Sequence, residues 1–73
     1  MLYQKIVEVI TPYAGASVAR AAVERHAEAM GLTSESVTPE HLPELADGVT
    51  MGLSAFIGQD LAGRAGRLIK ALA

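Results

Sequence analysis

Residues 38–72 decide the fold of this chain, and they read TPEHLPELADGVTMGLSAFIGQDLAGRAGRLIKAL. Thr38 is an N-cap residue type and is followed by a proline, which is favoured at the first helical position. Gly58 stands where a helix is expected to end in a left-handed residue. Apolar residues recur every three to four positions on both sides of Gly58, the spacing of amphipathic helices. The stretch therefore predicts a helical hairpin, with helices at 39–57 and 59–72.

Each helix of this hairpin is predicted to have one apolar stripe, at 100° per residue. The stripe of the first helix comprises Leu42, Leu45, Ala46, Val49, Leu53, Phe56 and Ile57. The stripe of the second comprises Leu61, Ala65, Leu68, Ile69 and Leu72. We expect the two stripes to form the core of the hairpin.

The N-terminal half predicts two more helices, at 2–10 and 12–30. Thr11 precedes a proline, as Thr38 does, and Gly31 is a second glycine at an expected helix end. Segment 2–10 is rich in β-branched residues, so a strand remains open there. The predicted fold is all-α, a compact bundle of four short helices in one domain spanning 1–73.

Composition limits the functional classes. The 73 residues include no cysteine, and the formal net charge is −2. Nucleic-acid binding is therefore not expected, since it usually needs a basic surface. No apolar run approaches the ~20 residues that span a bilayer, and the N-terminus lacks a signal peptide. We expect a cytoplasmic protein without a membrane partner.

The predicted core is thin, because one face of helix 12–30 consists largely of glycine and alanine, which bury little apolar area. Helix 39–57 also has a second, lesser stripe on its far side. These features favour a small interaction module that self-associates, as a homodimer or within a larger complex. The interface candidates are Gly48, Met51, Gly52 and Ala55 on the far side of helix 39–57, and Ala19, Ala22 and His26 on helix 12–30.

His26 lies within the apolar face of helix 12–30, although its sequence neighbours are charged. The positions three and four residues later are Ala29 and Met30, so no second metal ligand accompanies it, and we predict no metal site. Two roles remain open for His26: a structural residue, or a residue whose protonation makes packing or assembly depend on pH. A third hypothesis is a binding module for a small apolar or tetrapyrrole-like ligand near His26 and Met30.

No nucleophilic motif, phosphate-binding loop or paired catalytic carboxylates are present, so we predict no catalytic residue, no enzymatic activity and no required cofactor. Arg64, Arg67 and Lys70 give the C-terminal helix a basic side. They are candidates for a weak anion site, and for a weak nucleic-acid contact as a further alternative.

Residues 17–45 resemble the small helical domain of light-independent protochlorophyllide reductase subunits and its short stand-alone relatives. The shared pattern has Val18 and Arg20 at its start, then Val23-Glu24, Ala27 and Gly31, and finally Val37-Thr38-Pro39-Glu40. A second basic residue of that pattern is met only loosely, by Arg25. The resemblance covers less than half of the chain and implies an accessory domain that docks on a larger redox complex. It assigns no functional residue.

Overall fold

The computed structural model describes residues 1–72 and shows an all-α bundle, as predicted. Its helices are α1 (Leu2–Ala14), α2 (Ala16–Ala29), α3 (Leu42–Ile57) and α4 (Gln59–Lys70), with a 3₁₀ turn at Pro39–His41 before α3. The described residues contain no strand, so the N-terminal segment is helical. All four helices surround one hydrophobic core.

The bundle consists of two helical hairpins whose corners have the same geometry. Gly15 joins α1 to α2 with φ 86° and ψ 155°, and Gly58 joins α3 to α4 with φ 86° and ψ 159°. In both corners the glycine N–H donates to the carbonyl four residues earlier, and its carbonyl accepts from the N–H four residues later. Only glycine readily adopts this combination of positive φ and extended ψ. Gly58 thus has the predicted positive φ, but not a left-handed helical ψ.

The predicted boundary at Pro12 is wrong. Pro12 lies inside α1, and the helix continues for two more residues. In the last turn a proline removes only the hydrogen bond to the carbonyl of Glu8, whose residue is exposed and open to water. Thr11 does not cap α2, because its hydroxyl donates to the carbonyl of Val7 at 2.7 Å. The helix therefore ends only at Gly15, where the backbone conformation itself excludes continuation.

The predicted start at Thr38 is confirmed as a cap, although the first turn after it is 3₁₀ rather than α. The Thr38 backbone N–H donates to Nδ1 of His41 at 3.0 Å, and the His41 N–H donates to the Thr38 carbonyl at 3.0 Å. The α3 helix then begins at Leu42. Pro43 lies in its first turn, where no intrahelical hydrogen bond is lost.

The most extensive contact in the bundle is between α3 and α4. Gly66 lies so close to α3 that a Cβ there would overlap the Thr50 hydroxyl and would come within 3.5 Å of the Ala46 carbonyl. One turn further along, Lys70 Nζ forms an exposed ion pair with Asp47 Oδ1 at 3.2 Å. These two contacts fix the antiparallel register of the hairpin.

The core confirms most of the predicted stripe of α3 and part of the stripe of α4. The fully buried side chains of these helices are Leu42, Leu45, Ala46, Val49, Leu53, Ala62, Ala65 and Ile69. Phe56 was expected among them, but it is 74% exposed. Leu61 and Leu68 are 40% and 42% exposed, whereas Ala62, which the prediction left out, is fully buried, so the core side of α4 is rotated toward Ala62.

The two glycines in the middle of α4 should respond oppositely to alanine. Gly66→Ala forces the Thr50 side chain or the helix itself to move, and we expect the free energy of unfolding to fall by about 1–3 kcal/mol. At Gly63 an added Cβ meets only the flexible end of Arg67 at 3.6 Å. Gly63→Ala should therefore stabilise the protein by about 0.5–1 kcal/mol, because alanine is the better helix former.

Urea denaturation of the two variants measures both changes. Adding Thr50→Ala to Gly66→Ala removes the overlapping hydroxyl and should recover part of the loss. Equal effects of alanine at 63 and 66 would contradict the close approach of α4 to α3.

Candidate functional site

His26 on α2 packs its imidazole ring directly against the backbone of α3. A Cβ added to Gly48 would lie 2.8 Å from Nδ1, and one added to Gly52 would lie 3.0 Å from Nε2. The two glycines, one turn apart, therefore form the seat of the ring: Gly48 lies against its Nδ1 and Cγ atoms, and Gly52 lies against its Nε2 edge. This explains why α3 has glycines at two positions within a helix, where each costs about 0.5–1 kcal/mol relative to alanine.

The imidazole is held by packing rather than by hydrogen bonds. None of the side-chain hydrogen bonds within residues 1–72 involves its ring nitrogens. The ring is only partly buried, so water reaches it. Burial lowers the pKa of His26 from the ordinary 6.5, and the positive charge of Arg25 lowers it further. His26 therefore favours the neutral form in the folded protein.

A groove of about 350 Å³ runs between α2 and α3, with His26 at one end. Its apolar lining includes Val18 and Ala22 from α2, and Leu53 and Phe56 from α3. Ser17 and Arg25 provide polar groups at its edges. The groove exists because the facing side chains are small: beyond His26, neither Ala22 nor Gly52 fills the space between the two helices. The size and the mostly apolar lining are those of a small-molecule site.

The predicted second stripe of α3 does not form one surface. Met51 and Ala55 are exposed, Met51 to 77%. Gly48 is half-buried and Gly52 is exposed, and both lie against the His26 ring, so α2 crosses part of the expected far side. The sequence pattern did not reveal this crossing.

The predicted interface residues on α2 also lie in different surroundings. Ala19 is fully buried within the chain and cannot contact a second copy, whereas Ala22 and His26 line the groove. Met30 packs against the core and is not part of the groove lining, so the structure does not bring it together with His26 there.

The predicted basic cluster is reduced by an ion pair. Arg64 and Arg67 are exposed on α4, but Lys70 is paired with Asp47. The other histidine, His41, contributes to the cap of the 3₁₀ turn, 3.0 Å from the N–H of Thr38. Among residues 1–72, no three metal-ligating side chains come together.

Sequence reasoning missed Phe56 and Arg25 as groove residues. One signal was present: a large residue on α2, His26, lies opposite two glycines spaced by four on α3. Such an arrangement is typical of two helices in close contact with one side chain inserted between them. The sequence does not show that His26 faces these glycines, because that depends on how α2 crosses α3.

Comparisons of this chain with protein-family models, with curated proteins and with solved structures give no match. None of the helices within residues 1–72 combines the length and the apolar character needed to cross a membrane. The candidate site is therefore argued from its own geometry.

The seat of His26 leads to a mutational prediction. Gly48→Ala displaces the ring, and we expect the free energy of unfolding to fall by about 1–3 kcal/mol. In a His26→Ala background the same substitution meets no ring and should be neutral or stabilising by about 0.5–1 kcal/mol. Urea denaturation of the four proteins of this double-mutant cycle measures the coupling. An equal cost of Gly48→Ala in both backgrounds would show that the ring does not occupy the seat.

The lowered pKa of His26 predicts a pH dependence of stability. The unfolded chain binds the proton more readily, because its imidazole has the ordinary pKa of about 6.5. The stabilisation is therefore complete above pH ~6.5 and is lost as the pH falls through the lower pKa of the folded state. Partial exposure keeps the effect small. The urea midpoint should drop between pH 7.5 and pH ~5.5, and His26→Gln should show a smaller drop. Identical pH profiles would exclude this role.

Proposed function

We propose that this chain is a small helical interaction module that self-associates through the exposed face of α3. The observation that carries the proposal is Met51, which is 77% exposed on a helix that buries most of its large apolar residues, with the exposed Ala55 one turn further along the same face. Contiguous exposed apolar surface is typical of contact sites. Aromatic residues and methionine are also enriched at protein interfaces.

The distribution of charge along the hairpin favours a second copy as the partner. Glu44 lies in the first turn of α3. Arg64 lies on α4, which runs antiparallel from Gly58, so it is level with the C-terminal half of α3. When two copies pair about a two-fold axis with their α3 helices antiparallel, the half of the hairpin with Glu44 in each copy faces the half with Arg64 in the other. Such self-complementarity is what a two-fold interface requires.

The proposed dimer is weak rather than obligatory. The accessible surface is 4346 Å², and a compact monomer of 7.6 kDa is expected to expose about 4,300 Å². The fold therefore does not need a partner to become compact. A standard interface buries ~800 Å² per copy, nearly a fifth of this surface, and one helix face supplies less. We expect a dissociation constant in the micromolar range.

The resemblance of residues 17–45 to an accessory domain supports a related role, docking on a larger complex through the same face. Nucleic-acid binding through α4 is less favoured, because Lys70 is engaged by Asp47 and only Arg64 and Arg67 remain. Ligand binding near His26 is favoured by a specific observation, the apolar groove, and is developed below.

Met51→Glu tests self-association. A charge at the centre of the proposed interface should weaken the dimer at least tenfold, since loss of a hot-spot residue costs ~2 kcal/mol or more and ~1.4 kcal/mol is already tenfold. Sedimentation velocity across the micromolar range measures the dimer fraction, and circular dichroism checks that the fold is kept.

Gln4→Glu is the matched control, because it adds the same charge at an exposed position on α1. It should leave the dimer unchanged. A native protein that remains a monomer throughout this concentration range would refute the proposal, and equal effects of the two variants would refute the assignment to α3.

A further inference from the structure

We infer that the groove between α2 and α3 binds a small carboxylate with an apolar body, whose carboxylate is held by Arg25 and His26. The body of the ligand then packs on Val18, Ala22 and Phe56. This site is separate from the self-association proposed through Met51, and it does not depend on it.

The apolar part of the site is already formed in the folded chain. Leu53 lies beneath the groove and is fully buried, so the surface open to a ligand on the α2 side comes from Val18 and Ala22. Phe56 stands at the opposite edge with most of its ring exposed. A ligand in the groove would cover that ring and remove apolar surface from water, which is the main favourable term in binding an apolar body.

The polar part of the site favours a negative charge. Arg25 lines the groove and has no ion-pair partner within residues 1–72. His26 lines the same groove, and none of the side-chain hydrogen bonds among these residues involves its ring nitrogens. A guanidinium and an imidazole both donate to carboxylate oxygens, and charge-assisted hydrogen bonds of this kind are stronger than neutral ones.

The electrostatic environment of His26 favours the binding of an anion. Burial is the larger cause of the lowered pKa of His26 and the charge of Arg25 the second, while Gly48 and Gly52, which lie against the ring, have no charge. An anion between Arg25 and His26 would offset the positive charge and favour the imidazolium. Ligand binding should therefore raise the pKa of His26, which provides a readout that packing alone would not change.

The size of the groove limits the ligand. A volume of about 350 Å³ accommodates roughly ten non-hydrogen atoms, if each takes the ~30 Å³ of a water molecule in the liquid. Octanoate has this size, and octanamide is its uncharged counterpart of equal size. Since the groove is open to solvent on one side, we expect affinity in the millimolar to high-micromolar range.

The test follows the ring protons of His26 by NMR while octanoate or octanamide is added, with the ring of His41 as an internal reference. Met51→Glu serves as the protein background, so that failure of the groove and failure of self-association are distinguished. We expect saturable shifts at His26 with octanoate, a rise of its pKa at saturation, and at least fivefold weaker binding of octanamide.

Two arginine variants test whether Arg25 supplies the positive charge that binds the carboxylate. Arg25→Gln should reduce octanoate affinity to that of octanamide, whereas Arg20→Gln, on the same helix but outside the groove, should leave it unchanged. Both positions are exposed, so both variants are expected to fold. The inference is overturned if octanoate produces no saturable shift at His26. It is also overturned if octanoate and octanamide bind equally, or if Arg25→Gln and Arg20→Gln have the same effect.

Discussion

The structure depends on how closely α4 approaches α3 at Gly66. The absence of a side chain there lets the two backbones meet at Thr50 and Ala46, and the ion pair of Lys70 with Asp47 lies one turn beyond. This contact assigns one side of α3 to α4. The other hairpin packs on the core stripe of α3 and, through α2, on its glycine side, while the side with Met51 stays exposed. The position of the candidate site follows from this packing.

The groove is the consequence of packing small residues against small residues. Where α2 contributes His26, the ring fills the space above Gly48 and Gly52 and the helices are in contact. One turn earlier on α2, Ala22 meets no comparable side chain from α3, and the space stays open. Phe56 lies beside that space, so no residue of α2 covers it. One inserted side chain thus separates a closed part of the interface from an open part.

The sequence predicted the helical class, the corner at Gly58 and most of the α3 core, because periodicity and glycine punctuation are local signals. The prediction was wrong at Pro12, because a Thr-Pro pair occurs both in the last turn of a helix and at the start of one. The helix ends at Gly15, whose positive φ and extended ψ are required by the packing of the hairpin. The prediction also placed Phe56 inside, since a helical wheel gives a direction but not whether a partner side chain is there. The groove depends on such pairings between α2 and α3, which no single-helix pattern contains.

The exposure of Met51 and Phe56 is not explained by folding. The core closes without them, and the accessible surface already matches that of a compact chain of this size. Polar residues at both positions would keep the same helix and the same core at little cost, because surface substitutions usually change stability by less than about 0.5 kcal/mol. The proposed self-association gives Met51 a role outside the chain, and the proposed ligand gives one to Phe56. His26 connects the groove to the fold, because its ring is both the end wall of the groove and a packing element between α2 and α3. Any occupant that touches the ring also acts on the contact between the two hairpins.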